Sequence, residues 1–428
     1  MYSIKKLDNA QIIDLAKIRT NSFTAISLPL EKHAEIMNIQ NEYDFINFYG
    51  LFNEENLIGG MRLHDFKMNL LNQKVFAGGV GSVAVDLLHK KEKVALEIIK
   101  FFIYHYKERG ASMALLYPFR PDFYKKMGFG FGTTLNQFKI KPCDLPKGNS
   151  KKNIKFLNKD DAEEMCKFYN SIVNKTNGLM EKSPKEFNNL FNFESNKIVG
   201  FKVGNTILGY LIFHFRKGET GSFLVNDIFV SQMLFENSVV FLELMTFLNT
   251  QSDQIRYIII NTQDENFRFA LTDPRNNSDR LLVSLYHEYS TQGTGIMYRV
   301  INIPKLFEDL KDHNFNNISC NLKLSILDIL ISENVASYVI HFNNGNSSLV
   351  ENADYDVELT MDIADFSSLI TCAVDLKSLY RYGRVQLSDE CYLNTLNVLF
   401  SSDEKPLCML IFKYKKGANP VNYLTFYC

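Results

Sequence analysis

Apolar and polar residues alternate along FINFYGLFNEENLIGGMRLHDF, from Phe45, and again along VGFKVGNTILGYLIFHF, from Val199. A turn signal interrupts each run, Asn-rich in the first and Gly204-Asn205 in the second, so each predicts a β-hairpin. Gly59 and Gly209 hold equivalent places in the two runs. Beyond the first hairpin the pattern predicts a strand over 81–85, a helix over 94–107 and a strand over 112–117. Beyond the second, SFLVNDIFV, SVVFLELMTFLNT and RYIIINTQ predict strand, helix and strand again. Two copies of one element order predict a duplicated α/β unit. Val94, Ile98, Phe101, Phe102 and Tyr106 recur at steps of three and four, which gives the first helix a buried face and makes its aromatics core residues.

The rest of the chain has another texture. KPCDLPKGNSKKN, from Lys141, reads as an exposed linker, and Pro304 separates the strand-like GIMYRVINI from the helical KLFEDLKDH. Beyond lie the strands ASYVIHF and YDVELTMDI, then DFSSLITCAVDLKSLYRYGRVQLSD as helix, turn, helix, glycine and strand, then the helical DECYLNTLNVLF. The expectation is an α/β (α+β) multidomain protein with units over 1–145, 146–300 and 301–428, each of ordinary domain size. The last is an α+β module unrelated to the first two.

Charge changes this picture little. The 47 Lys and Arg balance 48 Asp and Glu, a net charge of −1, so no general attraction to nucleic acid or an anionic membrane is expected. The seven cysteines, Cys143, Cys166, Cys320, Cys372, Cys391, Cys408 and Cys428, form no CxxC pair, so neither a disulfide framework nor a metal site is expected. The N-terminal MYSIKKLDNAQIIDL is too polar for a signal peptide, and no apolar run approaches the roughly 20 residues that span a bilayer. A cytoplasmic protein is the expectation.

The chemistry concentrates in two stretches. In GGVGSVAVDLLHKKEKVALEIIKFF, from Gly78, a strand runs through a loop of Lys90, Lys91, Glu92 and Lys93 into a helix. Free N–H groups at such a helix start can hold a pyrophosphate. The bland alternative is a solvated charged turn. The second stretch is RPDFYKKMGFGF, from Arg120, just beyond the 112–117 strand. Phe123, Tyr124, Gly128 and Phe129 there resemble the aromatic-Tyr-x-x-x-Gly-Phe segment of the GCN5-related N-acetyltransferases. With GGVGSVAVDLLHKK, the duplication and the C-terminal α+β module, nearly the whole chain resembles the enhanced-intracellular-survival type of that family: two acetyltransferase-fold domains and a sterol-carrier-protein-like domain.

The resemblance implies tandem mixed-sheet acetyltransferase domains, with acetyl-CoA as co-substrate of the first. It implies that Val83, Ala84 and Val85 align the pantetheine as an added strand and polarise the thioester. Backbone of Lys91, Glu92, Lys93, Val94, Ala95 and Leu96 would hold the pyrophosphate. Phe119 and Arg120 would border the reactive end, and Tyr124 would be the general acid. The acceptor would be a primary amine, an aminoglycoside, polyamine or lysine-like group, which family members take in an acidic cleft. A homo-oligomer, trimer or hexamer, is implied as well. The second unit lacks a basic loop after SFLVNDIFV and has no Y-x-x-x-G-F, so it is expected to carry no cofactor site.

Two features depart from the family pattern. Lys93 stands where the loop R-x-x-G-x-G/A has its first glycine, and its Cβ is expected to resist a positive φ. Glu92 would oppose a phosphate unless it turns to solvent. The family also uses its terminal carboxylate as general base, and KPLCMLIF, ending at Phe412, resembles the usual last residues. Here the chain continues to Cys428. Either Cys428 presents the carboxylate, or Phe412 sits in the old place as an ordinary amide. His64, His105 and His214 read as structural, and the resemblance assigns His89, beside the loop, no acid–base task.

Overall fold

The computed structural model describes residues 2–24, 28–218, 225–283, 285–351 and 353–409. The first third holds β1 (Tyr2–Lys6), α1 (Ile12–Ser22), α2 (Leu30–Asn41), β2 (Ile46–Asn53), β3 (Asn56–Leu70), β4 (Gln73–Val85), α3 (Val94–Glu108), β5 (Met113–Leu116), α4 (Pro121–Lys125), β6 (Gly130–Phe131) and β7 (Leu135–Ile140). β4 begins earlier than the sequence pattern suggests. Leu71 and Asn72, at φ 52° and 64°, make a tight turn that extends the β3–β4 hairpin far beyond the glycine-rich stretch.

The middle third repeats the plan with β8 (Ile154–Phe156), α5 (Ala162–Val173), α6 (Pro184–Leu190), β9 (Lys197–Val203), β10 (Thr206–Lys217), β11 (Asn226–Phe235), α7 (Ser238–Asn249) and β12 (Ile255–Thr262). A small ribbon, β13 (Leu281–Leu282) with β14 (Tyr286–His287), precedes β15 (Ser290–Gly293) and β16 (Met297–Val300). The last third contains α8 (Ile303–Asp309), β17 (Cys320–Leu327), β18 (Ser337–Asn343), β19 (Asn346–Val350), β20 (Val357–Asp362), α9 (Ile363–Ile370), α10 (Leu376–Arg381), β21 (Val385–Leu387) and α11 (Leu393–Leu399). Asn302 caps α8 by accepting from the Lys305 N–H at 3.0 Å, and Pro304 sits in its first turn, where its missing N–H costs nothing.

The equivalence of Gly59 and Gly209 is physical. A Cβ on Gly59 would lie 2.9 Å from Ala84 O and 3.1 Å from Val94 of α3; one on Gly209 would lie 2.9 Å from Leu234 O and 2.4 Å from Val240 of α7. Each glycine lets a crossover helix close onto a hairpin strand. α3 buries Val94, Ile98, Ile99, Phe102, Ile103 and Tyr106, each side chain contributing roughly 1.5–3 kcal/mol. Phe101 is only partly buried and instead packs on Tyr49, ring centroids 5.3 Å apart.

The two large sheets do not follow sequence order. The first runs β1-β2-β3-β4-β5-β16-β6 and the second β15-β7-β12-β11-β10-β9-β8. Thus β16, from the end of the middle third, lies between β5 and β6, and β7, from the first third, pairs β12. The stretch read as an exposed linker is anchored: Leu145 is buried, and its carbonyl accepts from Asn249 of α7 at 2.9 Å. The third sheet, β19-β18-β17-β20-β21, is covered by α9, whose Ser367 Oγ accepts the Val300 N–H of β16 at 2.9 Å.

This exchange predicts that residues 1–145 expressed alone are insoluble or unfolded, because β5 is left with a bare edge. Supplying 146–428 in trans should restore a soluble complex, read by gel filtration and circular dichroism. A folded 1–145 fragment would contradict the topology.

Candidate functional site

β4 and β5 run parallel, and their pairing spans only Ala77–Val80 against Met113–Leu116. Residues 81–85 continue along β3, with Gly81 opposite Arg62, Ala84 opposite Gly60 and Val85 opposite Gly59. On their other side no strand pairs with them among the described residues. Ser82, at φ 57°, makes a bulge where the β3–β4 register shifts, and such bulges turn backbone groups out of the ladder. Val83, Ala84 and Val85 therefore offer an open edge at the carboxyl end of a parallel strand, the usual ligand position in such sheets.

The loop that follows leaves backbone donors free at a helix start. Asp86 accepts the Leu88 N–H at 2.9 Å and starts a single 3-10 turn over Leu87–His89. Lys91 and Lys93 both adopt left-handed backbone, at φ 69° and 63°. The expectation that a Cβ would keep Lys93 out of this region is thus overturned. The chain takes the glycine conformation, which costs on the order of 1 kcal/mol for an L-residue. No side chain caps α3, and the first helical bond runs from the Glu97 N–H to Lys93 O, so the N–H groups of Val94, Ala95 and Leu96 have no helical acceptor. Glu92 is turned aside, paired with His89 Nδ1 at 2.9 Å, while Lys90, Lys91 and Lys93 are exposed.

Beyond β5, α4 opens with Pro121 and carries Tyr124, 7% exposed. Its carbonyl accepts from the N–H groups of Met127 and Phe129 at 2.9 and 3.1 Å. Burial pushes the phenol up to about 12, so it is protonated at neutral pH, and no hydrogen bond ties its hydroxyl to another described residue. Tyr124 and Val94 share one apolar cluster, with Val83, Val85, Leu96 and Phe123 packed against it. Side chains of the edge, the helix start and the Tyr124 segment thus share one apolar cluster. Phe119 and Arg120 are exposed: Phe119 is 78% exposed and meets Phe23 edge-on at 6.4 Å, and Arg120 pairs with Asp122 at 2.6 Å.

The Tyr124 segment is fixed by a partner the sequence hides. Gly128 has φ 80°, and a Cβ there would fall 1.4 Å from Nη1 of Arg299. That guanidinium is fully buried on β16; its Nη1 donates to Met127 O, and its Nη2 donates to both carboxylate oxygens of Asp328 at 2.8 and 2.7 Å. Asp328 also accepts from the N–H groups of Leu330 and Ile331 and from Asn334. Lys125 bonds Asp365 of α9, which also holds Arg384, and Ser368 donates to Phe131 O at 2.9 Å. The only sign of Arg299 in the sequence is a lone charge inside the apolar GIMYRVINI.

Residues 3–132 match the family model described as acetyltransferase (GNAT) domain, and residues 304–409 match that of the sterol carrier protein domain. The chain carries an acetyltransferase domain and a sterol carrier protein domain. Among solved structures it is similar to a GCN5-related N-acetyltransferase from Anabaena variabilis ATCC 29413, at 17% identity and TM-score 0.77, covering 96% of this chain and 99% of that one. It is also similar to a GCN5-related N-acetyltransferase from Kribbella flavida, at 14% and 0.75, covering 96% and 100%. Eis1 from Mycobacterium abscessus gives 16% and 0.75 with the same coverages. These likenesses give the fold. No curated protein sequence matches the chain.

The middle unit, which repeats the order of elements, has a different loop. Asn237 caps α7 by accepting from the N–H groups of Val239 and Val240 at 3.1 and 3.2 Å, occupying donors that α3 leaves free. An open cavity of about 710 Å³ in that unit, lined by Asp160, Glu163, Glu164 and Lys167 among others, lies apart from the Tyr124 segment. Cys428 and Phe412 lie outside the described residues. The last described stretch runs along the seam of the two large sheets: Pro406 O accepts from Thr133 at 2.6 Å, and the Cys408 N–H donates to Gln263 at 2.6 Å.

Replacing Lys93 by glycine should relax the strained turn, raising stability by up to about 1 kcal/mol in denaturant melts. Valine, β-branched, should lower it. Equal midpoints for the two variants would show that the turn carries no strain.

Proposed function

We propose that the chain moves an acetyl group from acetyl-CoA to a primary amine by direct attack in a ternary complex. The observation that carries this reading is the unpaired edge of residues 81–85 beside the free N–H groups of α3 and the buried Tyr124. The pantetheine amides would complete the β4 edge, with N–H groups near Val83–Val85 polarising the thioester carbonyl. The pyrophosphate would lie on the N–H groups of Val94, Ala95 and Leu96, with exposed Lys90, Lys91 and Lys93 adding charge. Phe119 and Arg120 would border the reactive end.

In the reaction the neutral amine attacks the carbonyl carbon, a C–N bond forms and the C–S bond breaks. The thiolate leaves and takes the proton of Tyr124. A phenol at about 12 is a weak donor to an ordinary thiolate, near 8.5, but desolvation in the same cluster raises the thiol too. The proton lost by the amine goes to the terminal carboxylate of Cys428 if the extension loops back, or to water if Phe412 marks the old terminus. We further propose the division into units at 1–145, 146–300 and 301–428 and a trimeric or hexameric assembly in the cytoplasm. A second reading, an acyl-CoA-binding or assembly protein with weakened catalysis, is favoured by one feature: lysines rather than glycines occupy both left-handed positions of the loop.

The test is release of CoA thiol from acetyl-CoA with polyamines, aminoglycosides and lysine peptides. Tyr124→Phe should lower kcat by about 10²–10⁴, the usual scale for a general acid, and leave acetyl-CoA affinity unchanged. Binding of acetyl-CoA without turnover on any amine would sink the enzyme reading in favour of the second.

A further inference from the structure

The first helix ends against the open edge of β4. α1 packs on β3 and β4 from the face opposite α3: Gly60 lies against its Leu15, Gly59 against Val94 and Ile98 of α3. The helix stops at Ser22. Phe23 leaves it at φ −112° and ψ 77°, its N–H still bonding to Arg19 O at 2.8 Å. Ser22 Oγ donates to Val85 O at 2.7 Å. The Phe23 ring meets that of Phe119 edge-on, the centroids 6.4 Å apart, and Phe119 lies just past Leu116, where β5 ends.

The ladder decides which side of β4 Ser22 reaches. The Asp86 N–H bonds to Ile58 O at 2.8 Å, so residue 86 turns its backbone groups toward β3. Val85 stands opposite Gly59 in this antiparallel pairing and, by alternation, turns its N–H and C=O the other way. That is the side on which no described strand pairs with residues 81–85. The carbonyl that Ser22 holds is therefore one of the open edge's own groups. A run of contacts leads from Val85 through Ser22 and Phe23 to Phe119. It joins the free end of β4 to the chain beyond β5, past the point where the two strands stop pairing.

Both ties are slight, and both end on residues of the candidate site. Phe119 keeps 78% of its surface exposed, and a single side-chain hydrogen bond holds Ser22 to the edge. A neutral hydrogen bond or an aromatic pair shifts an opening equilibrium by about 3- to 10-fold. Chain ends held by so little open without unfolding the core. A carbonyl oxygen has two lone pairs. Ser22 can thus stay on Val85 O while a ligand amide pairs with the same edge.

We propose that the end of α1 is a strap over the acetyl-CoA edge, latched by Ser22 on Val85 and by Phe23 on Phe119. The cofactor enters and leaves while the latch is open, and the latch closes again over the bound pantetheine. The identity of the occupant rests on the acetyltransferase reading; the strap does not. Because it closes on the empty and the filled edge alike, the strap sets the rates of entry and exit together and leaves affinity alone.

Stopped-flow binding of acetyl-CoA to the full-length protein tests it with Ser22→Ala and Phe23→Ala. Each should raise kon and koff together by about 3- to 10-fold and hold Kd within about twofold. Ser22→Thr, which keeps the hydroxyl, should keep the wild-type rates. A rise in koff alone marks an ordinary contact, and a fall in Kd marks a competitor of the cofactor. Either result, or unchanged rates, overturns the strap. Amide exchange in the ligand-free protein reads the strap apart from the cofactor. The outward Val85 N–H should exchange faster in both alanine variants by the same factor, with the buried Phe102 of α3 unchanged. Equal exchange at Val85 in all proteins, or an equal rise at Phe102, overturns the strap. Faster exchange at Val85 alone, with no acetyl-CoA binding in any protein, leaves the strap standing and fails only the acetyltransferase reading.

Discussion

The parallel pairing of β4 with β5 stops at Val80 and Leu116, and the candidate site depends on that early stop. An unpaired strand edge beneath a protein surface is costly unless something completes it. Here the open edge at residues 81–85 coincides with three uncapped N–H groups on α3 and with a buried phenol that bonds to no described residue. Each of these is a loss to the folded chain taken alone. Together they are the features on which the proposed acetyl-CoA site rests.

The far side of β5 and the turn after α4 are set from elsewhere in the chain. β16 pairs β5 on its far side, and its Arg299 reaches through the Gly128 turn to Asp328. Lys125, Phe131 and Val300 are tied to α9 of the sterol-carrier-like unit. The segment bearing Tyr124 is therefore set by residues of all three parts of the chain. The buried Arg299–Asp328 pair is not a strong source of net stability, since desolvation offsets most of its attraction. Its effect is positional: it requires glycine at 128 and fixes the turn after α4. The middle unit shows the contrast, because Asn237 already holds two of the first N–H groups of α7.

Much of this was legible in the sequence where the signal is local. Alternation predicted both hairpins, and Gly59 and Gly209 were matched in place, though why each is glycine shows only in how the crossover helix closes on it. The Tyr124 segment and the α3 loop were found by motif and helix-start chemistry. What was missed depends on distant partners. Nothing local distinguishes β7 or β16 as strands that cross to the other sheet. Lys93 was expected to avoid positive φ, but the short connection from the 3-10 turn into α3 demands it, and the tertiary fold prevails over a cost of about 1 kcal/mol. His64 was read as a satisfied structural residue, yet no described residue hydrogen-bonds its ring nitrogens, and Arg62 and Arg299 showed only as charges inside apolar runs. Such a charge signals a buried partner, without saying whether the partner belongs to the protein or to a ligand.

The central claim is that acetyl-CoA occupies the β4 edge and the α3 N-terminus of the first unit. Amide hydrogen exchange with and without acetyl-CoA tests it most directly. The account predicts slowed exchange over 81–85 and 91–96, with the equivalent stretch around 236–240 unchanged. Protection confined to 236–240, or no change at 91–96 under saturating acetyl-CoA, would contradict it.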